Sequence, residues 1–303
     1  ILLAAAEAHA DLLLSRKKIY INKVNIDLLE RQLETEKDRL ERGEISLTDL
    51  AQSEASLAGA EAKLITAQNN LISSKANFEK IVGKKFTGNI QDIKFTSFRL
   101  PQSLAEAYKI SENENPDLKI AMLEHMKSVE DVRIAKSDLA PSATLSYKLA
   151  EQDDFSSAVQ ERKQQTLKAT ATWPLYSGGS NLSSLQKAKE LENKYNLLYA
   201  DSKKTVSTSV ANAWSSYQSS KSVLNSIRSQ VKAAEIANEG ITLEYESGAG
   251  NRTTLEVIQS RSILLNSRID LATSEKDFLV SRFNVLSAVG RLTAKHLNLA
   301  ENN

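Results

Sequence analysis

Apolar residues recur every seven positions through the first forty residues, with charged residues between them. These positions are Leu12, Ile19, Ile26, Leu33 and Leu40. A seven-residue apolar repeat predicts the contact seam of a coiled-coil helix. We expect this helix to end at Gly43 and a second helix to run from about Ser46 to Val82.

The predicted second helix carries two parallel rows of residues, one large and one small. The large row consists of Leu50, Leu57, Leu64, Leu71 and Phe78. The small row lies three residues farther along and consists of Ser53, Ala60, Ala67 and Ser74. Large side chains beside small ones allow two helices to approach closely. The two arms should therefore pack as an antiparallel hairpin.

The same hairpin pattern occurs again near the C-terminus. Aligning the two turn glycines, Gly43 and Gly250, gives a shift of 207 residues, and this shift also carries Gly83 to Gly290. Upstream of the turn the shift is 205 residues, so the second turn contains two extra residues. The chain thus contains a duplicated half-molecule rather than an array of short repeats.

The second copy keeps both rows and adds a third. Its large row is Val257, Leu264, Leu271, Phe278 and Val285, and its small row is Ser260, Ser267, Ser274 and Ser281. A further apolar row consists of Ile258, Leu265, Leu279 and Leu286. This wider apolar face predicts that each hairpin contacts neighbours on two sides.

The segment between the two hairpins contains different elements. Residues 84–100 lack a helical period and should form a loop or short strand. Pro101 should introduce a helix, the Asn115-Pro116 pair should break it, and a second helix should run to Leu139. A further helix should run without interruption from about Asn181 to Ser247, roughly 65 residues, which is too long for a compact domain.

A pair of strands is predicted between these helices. The alternating apolar positions are Leu145, Tyr147 and Leu149 in one strand and Leu167, Ala169, Ala171 and Trp173 in the other. Each strand should be about nine residues long, the length of a tilted membrane-spanning strand. The same alternation also fits a soluble hairpin with one buried face, and the pattern alone leaves both interpretations open.

Composition excludes several classes of function. The formal net charge is +1 and no basic stripe is interleaved with aromatic residues, so a nucleic-acid partner is not expected. The chain has no cysteine, and His9, His125 and His296 stand apart from any ligand spacing, so we predict no metal and no cofactor. No nucleophile motif or phosphate-binding loop is present, which argues against an enzyme.

Three stretches resemble one known family, the TolC family of outer-membrane efflux and secretion ducts. They read PQSLAEAYKISENENPDLKIA, VRIAKSDLAPSATLSY and TATWPLYSGG, and both hairpin turns are similar to the tip motifs of that family. The resemblance implies a mainly α fold, with long antiparallel coiled-coil hairpins forming an α-barrel tunnel. It also implies that the β-hairpin contributes to a twelve-stranded membrane β-barrel shared by a homotrimer.

On this interpretation the chain has six segments. They are a first helical hairpin (1–83), an equatorial loop or short strand (84–100), helices opening the second half (101–140), an outer-membrane β-hairpin (141–176), a second long hairpin (177–290) and a C-terminal tail (291–303). The first half lacks its own opening segment. We therefore expect roughly a hundred further residues, and any signal peptide, to precede this sequence.

The resemblance assigns a latch to the hairpin tips. It implies that Tyr245 and Arg252 bond Thr48 and Asp49 on the other hairpin and hold the tunnel entrance closed. The alternatives are that Tyr245 is a seam residue equivalent to Leu40 and that Arg252 is an exposed turn charge. Helix residues farther from the tips, such as Arg261 and Glu54, are expected to take no part.

Further tip residues follow from the same resemblance. Glu256 matches an acidic residue of the entrance, and three copies in a trimer would favour cations and raise one another's pKa. Gln259 stands where the family has a second acid. The expected adaptor contacts are Gly43, Glu44, Ile45, Ser46, Leu47, Gly250, Asn251, Thr253 and Thr254.

The implied function is that of a passive, non-catalytic exit duct in the outer membrane and periplasm of a Gram-negative cell. It would serve a tripartite efflux pump or a type I secretion system. Its partners would be a periplasmic adaptor, an inner-membrane pump or ABC translocator, and outer-membrane lipid. The alternative is a soluble periplasmic coiled-coil adaptor or scaffold.

Overall fold

The computed structural model describes residues 1–86, 99–156, 159–248 and 252–297, with the side chains of 153–161 outside this description. The elements are α1 (Leu2–Glu41), α2 (Leu47–Val82), α3 (Leu104–Glu114), α4 (Pro116–Ser137), β1 (Ser142–Ser156), β2 (Val159–Thr172), α5 (Ser180–Ser247) and α6 (Thr254–Ala288). Contacts divide the chain into two units. One is Ile1–Asn115 with Ser207–Asn303, and the other is Pro116–Val206.

Several predicted helix ends are confirmed. α1 ends two residues before Gly43, whose φ of +75° is a left-handed conformation that suits glycine. α2 begins directly after Ser46, whose side chain accepts a hydrogen bond from the Asp49 backbone. The long helix α5 continues through Gly240 as predicted. α3 begins at Leu104, three residues after Pro101, because Ser103 supplies the N-terminal cap.

The first hairpin is antiparallel. Near its open end the Ser15 and Ser74 hydroxyls lie 2.8 Å apart, and nearer the tip Ile26 and Leu29 pack with Ala60. The partner positions fall along α2 as they rise along α1, which defines the antiparallel direction. The small row is the most buried part of α2, as the pattern predicted, with Ser53, Ala60 and Ala67 all buried.

The second hairpin repeats this arrangement between α5 and α6. The Ser220 and Ser281 hydroxyls lie 2.8 Å apart, and Gln230 donates to Ser267 at 3.2 Å. Ser260, Ser267, Ser274 and Ser281 are all buried. Because these residues are small, the α5 and α6 backbones can lie close together along the hairpin.

α1 joins the two hairpins. It packs against α2 on one side and against α6 on the other, where Lys276 forms a 3.1 Å ion pair with Asp11 and Lys17 pairs with Glu275. Beside these pairs Ala10 of α1 contacts an apolar cluster on α6. Each hairpin thus contacts the other on one side, chiefly through α1 and α6, and contact with a neighbour on the second side stays a prediction.

The end of α6 packs tightly against the end of α3. Arg291 donates two hydrogen bonds to the Glu114 carboxylate, at 2.8 and 2.6 Å, and Asn115 donates to the Ala288 carbonyl at 2.9 Å. Gly290 lies between these contacts with a φ of +84°, and a Cβ built there would lie 2.6 Å from the Glu114 carbonyl oxygen. Beyond it, Leu292 and Leu297 pack on the α6 core.

β1 and β2 form an antiparallel hairpin of 15 and 14 residues. The predicted length of about nine residues is therefore wrong. The pairing continues past the alternating apolar residues into polar positions, where Glu151 stands opposite Lys163 and forms a 2.7 Å ion pair with it. Strand pairing uses backbone groups, so it does not need the apolar alternation from which the length was predicted.

Candidate functional site at the hairpin tips

The tips of the two hairpins meet through a cation–π contact. The Arg39 guanidinium, in the last turn of α1, lies 4.5 Å from the centre of the Tyr245 ring near the end of α5. Tyr245 is buried, and its hydroxyl lies 2.9 Å from the Thr254 hydroxyl at the start of α6. The ring therefore occupies the seam position that the repeat assigns to it, while its hydroxyl is bonded within its own hairpin.

Arg252 is held by two carboxylates of the same hairpin. Its Nε donates to Glu244 at 2.7 Å and its Nη1 donates to Glu256 at 3.0 Å. These bonds, the one to Glu244 foremost, raise the pKa of Arg252 above its ordinary value. The side chain thus bridges the last turn of α5 and the first turn of α6, and it is not an unpaired turn charge.

Glu256 completes a capping box at the start of α6. One carboxylate oxygen accepts from the Thr253 backbone N–H at 2.9 Å, and the other accepts from Arg252. The Thr253 N–H, followed by Arg252, lowers the pKa of Glu256 in the single chain. This is opposite in direction to the mutual rise expected among three copies around an entrance.

Asp49 occupies the equivalent position in the first hairpin. Its carboxylate accepts from the Ser46 backbone N–H at 3.0 Å and from the Ser46 hydroxyl at 2.7 Å. The Ser46 hydroxyl and then its N–H lower the pKa of Asp49. The shift of 207 residues carries Asp49 to Glu256, so both repeats use this acid to cap the second arm.

The predicted latch bonds are not formed inside the chain. Within the described ranges, Arg252 bonds Glu244 and Glu256 instead of Asp49, and Tyr245 bonds Thr254 instead of Thr48. Thr48 is exposed. Latch bonds between assembled copies stay a prediction, and they would require Arg252 and Asp49 to add partners to those they already have.

The expected adaptor contacts lie at the two turns. In the first turn, Glu44 accepts from Arg42 at 2.8 Å and from Arg39 at 3.2 Å, and these pairs, Arg42 first, lower the pKa of Glu44. Leu47 is 71% exposed, while Ile45 is half-buried. In the second turn, Gly250 and Asn251 lie outside the described residues.

A buried polar cluster between α1 and α6 was not predicted. Arg261 donates to the Leu28 carbonyl at 3.3 Å and to the Gln32 side chain, and Gln32 in turn donates to Glu36 at 2.7 Å. Glu36 is only 1% exposed. Burial lowers the pKa of Arg261, and the nearby Glu36 charge opposes that shift. Arg261, expected to take no part, thus connects the second hairpin to the first.

The β-hairpin brings the predicted membrane residues onto one face. Cross-strand partners are Leu145 with Ala169, Tyr147 with Leu167, and Ala143 with Ala171. The large side chains of this face are at least 59% exposed. Trp173 follows the last residue of β2 and is also exposed.

None of the described helices is apolar over a stretch long enough to cross a membrane. Within the same ranges, no three His, Asp or Glu side chains lie together where they could hold a metal ion.

A family model for outer membrane efflux proteins matches residues 107–291. The chain belongs to the outer membrane efflux protein family. That family consists of efflux proteins and not of enzymes, in agreement with the absence of catalytic motifs noted in the sequence.

Two characterised relatives are similar over almost the whole chain. The outer membrane efflux protein BepC of Brucella suis biovar 1 (strain 1330) is 25% identical over 300 residues, 97% of this chain and 64% of its own length. The outer membrane protein TolC of Escherichia coli (strain K12) is 23% identical over 324 residues, 96% of this chain and 64% of its own. The chain therefore spans about 64% of the length of these relatives.

Solved structures in the family share the fold. CusC superposes with a TM-score of 0.80 at 17% identity, over 94% of this chain and 67% of that one. The outer membrane protein VceC from the pathogen Vibrio cholerae has a TM-score of 0.76 at 18% identity, over 95% and 69% of the two chains. The predicted TolC-like class, mainly α with a β-hairpin, is confirmed.

Proposed function

We propose that the protein is a passive exit duct in the outer membrane of a Gram-negative cell, with its helical hairpins in the periplasm. The observation that carries this proposal is the apolar face of the β-hairpin. Its members pair directly across the strands, and its large side chains are exposed. A soluble scaffold would bury such a face, whereas outer-membrane lipid would cover it without a protein partner.

The exposed apolar edges of the helical hairpins support assembly into a homotrimer. α2 exposes Ile65 and Ile72, seven residues apart, and α5 exposes Ile236 and Leu243 at the same spacing. These two edges are unlike, so contact between α2 of one copy and α5 of the next would be heterologous, the kind of contact from which a closed ring of three copies can be built. The seven-residue spacing on both edges is what a coiled-coil contact requires.

The partners and the energy source of transport are proposed from the resemblance to the TolC family. BepC is named as an outer membrane efflux protein, and the names of both relatives place them in the outer membrane. We infer that this protein serves efflux or type I secretion, with a periplasmic adaptor contacting the tips. An inner-membrane pump or ABC translocator would supply the energy, since the sequence contains no nucleophile motif or phosphate-binding loop.

The proposal is tested by reconstituting the full-length protein in planar lipid bilayers. We expect a trimer by light scattering and a small, discrete conductance, because the proposed latch between copies would hold the tips closed. A monomer with intact helicity, or no conductance from correctly folded trimers, would support the soluble scaffold instead.

The latch is tested in the same bilayers. Arg252→Ser and Asp49→Ala should each raise conductance several-fold, and the double variant should have less than the additive effect because both remove one interaction. Glu244→Gln is the matched control, since it removes a partner of Arg252 within the hairpin but leaves the bond to Asp49 possible. If Glu244→Gln raises conductance as much as Arg252→Ser, the effect is local to the turn and the latch is excluded.

The orientation of the β-hairpin is tested by single cysteines at neighbouring positions. Tyr147→Cys should react poorly with an aqueous thiol reagent in membranes, and Lys148→Cys should react readily. The physical reason is that successive residues of a strand point to opposite faces, one toward lipid and one toward water. Equal labelling of both cysteines would contradict a membrane strand.

A further inference from the structure

A groove of about 190 Å³ lies where α1, α2 and α6 meet. A single water molecule needs only about 10–15 Å³ by this measure, so the groove has room for a small ion with its remaining hydration. Its described polar lining consists of Asn25, Ser56, Lys63, Arg261 and Ser262. Every one of these side chains can donate a hydrogen bond, and none of the described lining residues is acidic.

The two cations of the groove are differently held. Arg261 is fixed by the Leu28 carbonyl and Gln32, and its buried Nε has no hydrogen-bond partner among the residues described. Glu36 compensates part of this charge, but its carboxylate is bonded to Gln32 and is not part of the described lining. Lys63, which is exposed, supplies the second positive charge.

A glycine opens the groove on the α2 side. Gly59 lies in the middle of α2, where glycine is less favourable than alanine. A Cβ built at this position meets no atom within 4 Å, so close packing does not require glycine there. What the missing side chain provides is space in the groove itself.

The two basic residues of the groove are acidic at the equivalent positions of the other repeat. The shift of 207 residues carries Lys63 to Asp270 and Glu54 to Arg261, so both cations have acidic counterparts. A feature inherited unchanged from the duplication would carry the same charge in both halves. The cationic groove is therefore particular to the junction of the first hairpin with α6.

We propose that this groove binds a small oxyanion such as inorganic phosphate or sulfate. The Arg261 guanidinium and Lys63 would supply charge-assisted hydrogen bonds, and the hydroxyls of Ser56 and Ser262 would complete the coordination. The bound ion would connect α2 with α6, which contact each other only weakly compared with their contacts to α1. It would thereby strengthen the junction between the two hairpins.

The test is isothermal titration of the full-length protein with sodium phosphate, at an ionic strength held constant with sodium chloride. We expect saturable binding that chloride does not reproduce. Lys63→Gln should weaken it about three- to tenfold. Gly59→Leu should abolish binding by filling the groove, without lowering the thermal midpoint, because leucine is the better helix former.

Arg268→Gln is the control. Arg268 lies on α6, the helix of Arg261, but it is outside the described lining of the groove and pairs with Glu235. Its phosphate affinity should equal that of the unsubstituted protein. The proposal is overturned if phosphate gives no heat beyond that of chloride, or if Gly59→Leu binds phosphate normally. Equal losses of phosphate affinity in Arg268→Gln and Lys63→Gln would also overturn the proposal, because they would show a diffuse effect of charge and no specific site.

Discussion

Replacing Gly290 with alanine is expected to lower the free energy of unfolding by about 2–5 kcal/mol. Two costs combine at this position. The φ of +84° is unfavourable for any residue with a Cβ, and that Cβ would overlap the Glu114 carbonyl oxygen at 2.6 Å. Relief would require α3 to move away from α6, which would strain the paired bonds between Arg291 and Glu114.

The repeat supplies a matched control for this substitution. Gly83 is the equivalent residue of the first half, with a φ of +75°, but a Cβ there meets no atom within 4 Å. Gly83→Ala should therefore lower the free energy of unfolding only by the cost of placing an alanine at a positive φ, about 1–2 kcal/mol. Denaturant unfolding of both variants measures the difference, and equal losses would show that the contact with Glu114 is unimportant.

The second large effect is expected at Arg261. Arg261→Met should lower the free energy of unfolding by about 1–3 kcal/mol, because it removes the donor to the Leu28 carbonyl and Gln32 and the positive charge near the buried Glu36. The double variant Arg261→Met, Glu36→Leu should recover part of that loss, since no buried charge then remains. A double-mutant cycle by denaturant unfolding measures this recovery.

Arg268, which also lies on α6 but forms an exposed ion pair with α5, provides the comparison for Arg261. Arg268 pairs with Glu235 at 2.8 Å, with both side chains well exposed, so Arg268→Met should cost at most about 1 kcal/mol. Two results would mean that water reaches Glu36 and that Arg261, Gln32 and Glu36 do not form a buried network. One is a loss of unfolding free energy for Arg261→Met as small as that for Arg268→Met. The other is strict additivity of the losses from Arg261→Met and Glu36→Leu.

Much of the fold could be predicted because the helical signals are local. The seven-residue rows identify the seams, and Gly43, Ser46 and Pro116 mark ends that depend on backbone geometry within a few residues. The strand lengths could not be predicted, since pairing continues where the side chains no longer alternate. The contact of Gly290 with Glu114 joins residues far apart in sequence, so no local sequence pattern predicts it.

The candidate site was less predictable, although one signal was present. The row three residues after Leu12, Ile19, Ile26 and Leu33 consists of Ser15, Asn22, Leu29 and Glu36, and the structure buries all four. By the logic applied to the small row of α2, Glu36 should have been expected inside the seam. The partners of Arg252 were harder to choose, because Glu244, Glu256 and Asp49 all offer a carboxylate near a turn.

Three carboxylates at the tips of the single chain keep their charge in mild acid. Hydrogen bonds and ion pairs lower the pKa of Glu44, Asp49 and Glu256. When the pKa of a carboxyl group is lowered in the folded state, its contribution to stability is complete at pH values above its ordinary pKa near 4. That contribution is lost only as the pH falls through the lower pKa of the folded state. Between about pH 5 and 8 these three groups keep their charge. A proton gradient or an acid medium in that range therefore gives no signal through these three groups in the single chain.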